Sequence, residues 1–185
     1  MSSFETRCLD AFSTWLRTLG DDARALAAVL ESDASEALHR AAARALVYVV
    51  KSVDLIPEGL EELGYLDDAF MVRVAVSALA DGDLPAERDR EPGATVQRLV
   101  ADAALVREFL GATVEPLEAS LAELDRRAVH ERTVDGILAD PALRAELGRE
   151  AREFAASYAV PAFVRDEKTL VKLRAYFGAK TKPAA

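Results

Sequence analysis

Residues 48–70 read YVVKSVDLIPEGLEELGYLDDAF, an apolar run that halts at Asp54-Leu55-Ile56-Pro57 and resumes after Gly64-Tyr65-Leu66-Asp67-Asp68. Pro57 has no amide hydrogen and biases Ile56 away from the α region, so the helix before it ends at or before Asp54. Gly64 can take a positive φ and aim the chain back on itself. Asp67 or Asp68 is placed to cap the next helix beside its positive dipole end, and Asp54 to accept hydrogen bonds from amides freed in the turn. Leu55, Ile56, Leu60, Leu63 and Leu66 then fill the closed end. The segment is predicted to be a helical hairpin. Residues 54–68 also gather Asp54, Glu58, Glu61, Glu62, Asp67 and Asp68 with no Lys or Arg among them.

On both sides of this hairpin the apolar residues recur every three or four positions, and alternating runs rich in Val, Ile and Thr are nearly absent. The chain is therefore predicted to be all-α, an irregular multi-helix bundle of about seven to nine helices. Over residues 3–19, Phe4, Cys8, Phe12, Trp15, Leu16 and Leu19 form one stripe, with serines before it to cap and Gly20 after it as a stop. Asp21 and Asp22 then start a short second helix carrying Leu26, Val29 and Leu30. Asp33 and Glu36 have capping-box spacing for a third helix, with Leu38, Ala42, Leu46 and Val49 on one face. The fourth begins at Asp67 or Asp68 and buries Phe70, Met71, Val74 and Leu79.

Residues 80–93, ADGDLPAERDREPG, carry charges and two prolines but no apolar stripe, which marks a loop. The expected organisation is an N-terminal helical region over 1–80, a charged loop over 81–93, and a C-terminal helical region over 94–178 packed on the first as one domain. A frayed tail follows over 179–185. Within the C-terminal region, Val96, Leu99, Ala103, Val106 and Phe109 mark one helix. Pro116 suits the first turn of another, which runs past Leu117 and Leu121 through His130 toward Ile137. Asp140-Pro141 reads as N-cap and first helical position of a helix with Leu143, Leu147, Phe154 and Tyr158. A last helix covers about 166–177.

At 185 residues the chain can bury a core without staples, and its single cysteine, Cys8, has no intramolecular partner. That fits a reducing cytoplasm. No basic region followed by an apolar block opens the chain, and no run reaches the length of a spanning helix. A formal net charge of −9 argues against nucleic acid, whose affinity rests on Lys and Arg releasing counterions.

The pattern Asp54-Leu55-Ile56-Pro57, then Gly64, Asp67 and Asp68, resembles the domain of unknown function 1232 (YkvA-like) family over roughly residues 38–79. The chain departs from the family pattern at Lys51-Ser52, where Ser-Pro is usual, and at Glu61, where a second proline is common. The resemblance implies a two-helix hairpin but no catalytic residues. It also implies contact with a membrane periphery, since many family members carry more apolar helices.

Two functional readings follow. In the first, Asp54, Pro57, Gly64, Asp67 and Asp68 shape the hairpin, and the protein is a non-catalytic scaffold or regulatory module that engages a protein partner or a second copy, without cofactor. In the second, Asp54, Asp67 and Asp68, with Glu58, converge on Mg²⁺ or Ca²⁺, which prefer carboxylate oxygens, in a metal-binding protein or hydrolase. His39 and His130 have no partner histidine at helical spacing, and neither a nucleophile elbow nor a phosphate loop occurs. The first reading is favoured, because carboxylates alone offer no complementary base or nucleophile.

Overall fold

A computed structural model of the chain describes residues 2–50, 65–85 and 90–180. The helices are α1 (Ser3–Leu30), α2 (Glu36–Val50), α3 (Leu66–Val76), α4 (Gly93–Leu110), α5 (Val114–Glu123), α6 (Val134–Ala139), α7 (Pro141–Ser157) and α8 (Glu167–Lys180). Short 3₁₀ turns occupy Asp81–Asp83 and Gly111–Thr113. Among the described residues no strand forms, and the architecture is an all-α multi-helix bundle. Asp54, Pro57, Glu58 and Gly64, with the rest of the expected hairpin turn, lie outside the described residues.

The helix α3 lies at the centre, with every residue from Leu66 to Val76 buried. A helix that is apolar all round needs neighbours on all sides. It receives them from α1, α2, α4 and α5, while α7 packs along α1 and α2. Phe70 of α3 meets Phe12, Trp15, Phe109 and Phe177 at ring-centroid distances of 4.8, 5.3, 5.8 and 5.1 Å. This aromatic cluster, drawn from α1, α3, α4 and α8, ties the N-terminal and C-terminal parts of the chain into one continuous core. Cys8 is buried in that core, as its place in the stripe predicts.

Several helix ends follow local chemistry. Ser2 and Glu5 form a capping box on α1. Asp140 caps α7 by accepting from the Ala142 amide at 2.8 Å, with Pro141 at the first helical position. Asp166 Oδ1 accepts from the Thr169 amide at 2.8 Å at the start of α8, which runs on to Lys180 rather than ending near Phe177.

Four expectations are corrected. Gly20 does not end α1; the helix continues through Asp21 and Asp22 to Leu30, so no separate second helix exists. Gly20 is small because α7 crosses there: a Cβ on it would sit 3.3 Å from Tyr158 Cδ1 and 3.5 Å from the Ala155 carbonyl oxygen. At the start of α2, Ser35 rather than Asp33 supplies the capping oxygen, accepting from the Leu38 amide at 3.1 Å. The helix through Pro116 stops at Glu123 instead of reaching Ile137. His130 and Glu131 adopt φ of 47° and 67°, reversing the chain between Val129 and Arg132 before Thr133 caps α6. Finally, α3 begins at Leu66, and its N-cap position is Tyr65, in the left-handed region at φ 63° with no side-chain cap. Asp67 and Asp68 are therefore not N-caps but the second and third residues of the helix.

Candidate functional site

A central helix is an unusual place for charge, yet α3 carries Asp67, Asp68 and Arg73 into the interior at 1, 4 and 0 % exposure. Burying an ion is costly unless it is paired and hydrogen-bonded, so each must be matched by groups on neighbouring elements. Near the N-terminus of α3, Tyr48 on α2 donates from its hydroxyl to Asp67 Oδ2 at 3.0 Å, with both residues buried. The position of both aspartates in the first turn also sets their charge against the positive end of the helix dipole.

Tyr65, Phe154 and Tyr158 form an aromatic triad over this end, with centroid distances of 5.2 Å for Tyr65–Tyr158 and 5.4 Å for Phe154–Tyr158. The Tyr158 hydroxyl donates to the Leu16 carbonyl oxygen at 2.7 Å. Its pKa is pushed above the ordinary tyrosine range by burial first and then by the negative charges of Asp68 and Asp22. The phenol therefore stays protonated and keeps that hydrogen bond.

Two turns further along α3, Arg73 sits at the junction of three helices. Its Nη2 donates to Asp22 Oδ2 on α1 at 3.4 Å, its Nε to Asp102 Oδ2 on α4 at 3.1 Å, and its Nη1 to the Ala69 carbonyl oxygen at 2.8 Å. The guanidinium lies 4.3 Å from the centroid of Trp15. Arg98 Nη2 pairs with the other oxygen of Asp22, and Thr18 Oγ1 donates to Asp22 Oδ2 at 3.2 Å. Two acids and two guanidinia thus form a neutral cluster, Asp102 and Arg98 lying at its half-buried rim. Burial raises the Asp22 carboxyl against the opposing pull of Arg73 and then Arg98. Burial likewise lowers Arg73 to about 10, and Asp22 and Asp102 oppose it, so the guanidinium remains charged at neutral pH.

The structure brings together part of what the sequence offered. Asp67 and Asp68 occupy consecutive buried positions in the first turn of α3, while Asp54, Pro57, Glu58 and Gly64 fall outside the described residues. Among the described residues no three His, Cys, Asp or Glu side chains are grouped to hold a metal ion. His39 Nε2 lies 3.1 Å from the carbonyl oxygens of Val29 and Ser32, where it closes the C-terminal end of α1. The sequence pattern suggests Asp22 as the start of a separate helix and gives Arg73 no role; the structure makes both members of the buried cluster. The signal for Asp22 was its spacing from Trp15, Leu19 and Leu26, which puts it on the buried stripe once α1 is continuous.

Residues 41–73 match the family model described as Protein of unknown function (DUF1232). Over those residues the chain is similar to that family. The segment holds Tyr48, Asp67, Asp68 and Arg73, and it ends on the arginine at the centre of the buried cluster. The DUF1232 match covers a minority of the chain; Asp22, Arg98, Asp102 and Tyr158 come from outside it. The helices flanking that segment therefore supply the carboxylates that neutralise Arg73. No curated protein and no solved structure matches the chain. Among the described residues no helix is long and apolar enough to cross a membrane.

Proposed function

We propose that this protein is a non-catalytic helical interaction module, a scaffold or regulator working in the cytoplasm, with the DUF1232 segment as its structural hub. The observation that carries this reading is the use made of the α3 charges. Asp67 is tied to Tyr48 on α2, and Arg73 to Asp22 on α1 and Asp102 on α4. Groups tied in this way fix the relative positions of helices, and they are oriented by protein partners rather than toward a reacting molecule. An enzyme needs the opposite, a polar group aimed into space that a substrate can occupy.

Calorimetry on the full chain with Mg²⁺, Mn²⁺ and Ca²⁺, beside the Asp67→Asn variant, tests the reading. The expected result is no saturable heat with any of the three ions. Stoichiometric binding that is lost in Asp67→Asn would transfer the motif carboxylates to metal chemistry, and turnover of a phosphoester lost with the same substitution would make the protein a hydrolase.

A further inference from the structure

We draw no further inference here: the strongest candidate, the cleft between the α1–α2 connection and the start of α4 lined by Asp33, Asp83 and Glu91, is an acidic concavity, and nothing in the structure shows what covers it.

Discussion

The guanidinium of Arg73 stacks 4.3 Å from the ring centroid of Trp15, fully buried, with the Asp22 carboxylate beside it. Stacking on an aromatic face and a planar fork of donors are what distinguish arginine from lysine at a buried site. One side chain at the end of the DUF1232 segment thereby fastens α3 to α1 and α4.

The value of this tie is conditional on both partners. Arg73→Ala leaves Asp22 buried with only its rim arginine, and removing one member of a buried pair costs about 3–5 kcal/mol. Urea unfolding of Arg73→Ala is expected to show a loss of that size. The double variant Arg73→Met/Asp22→Leu, which exchanges charge for apolar volume, is expected to recover most of it. A double variant no more stable than the single one would show that the cluster contributes through more than pairing.

Tyr48 and Asp67 make a smaller, cleaner test. Tyr48→Phe keeps the ring but removes the donor to a buried carboxylate, so a loss of about 1.5–3 kcal/mol is expected. Asp67→Ala removes the acceptor and the favourable charge at the start of α3, and its melting temperature is expected to fall equally with and without added Mg²⁺. A fall seen only in the presence of the ion would mean that Asp67 stabilises through metal.

Much of this organisation could be read from the chain. The helices are visible because the apolar spacing of Phe12, Trp15 and Leu19, or of Leu38, Ala42 and Leu46, is local information. Asp140-Pro141 is visible because capping is decided within a few residues. Some errors arise where the deciding partner is remote. Whether Gly20 ends a helix or accommodates a neighbour depends on α7, more than a hundred residues away. What meets Asp67 in the interior is Tyr48, 19 residues earlier, and the partner of Arg73 is separated from it by 51 residues. Spacing shows that a polar residue falls on a buried face; it does not show what meets it there.

Gly20 gives that remoteness a measurable form. A side chain larger than methyl would press on the Tyr158 ring and the Ala155 backbone, so Gly20→Leu is expected to push α7 off α1 and cost about 1–3 kcal/mol, despite leucine's better helix propensity. Hydrogen exchange is expected to quicken in α7 before the rest of the fold. A stabilised Gly20→Leu would mean that α7 yields freely at this crossing.

The last prediction concerns acid. Asp125, just past α5, receives hydrogen bonds from Arg44 Nε at 2.8 Å and from Arg44 Nη2, with Arg40 Nη1 at 3.3 Å. Burial acts to raise its pKa, but the bonds and charge of Arg44, joined by Arg40, outweigh burial and hold the carboxyl below the usual range. A carboxylate whose pKa is lower in the folded state binds fewer protons there than when unfolded, so its stabilisation is present above the unfolded value of about 3.9 and is lost as pH falls through the folded one. Asp125→Asn is expected to cost about 2 kcal/mol at neutral pH, the scale of hydrogen bonds to a charged group. The gap between wild type and variant should then narrow below about pH 4 as wild-type Asp125 protonates. Denaturation curves across that range decide the matter: a gap that stays constant with pH would mean that Asp125 acts through its shape and not its charge.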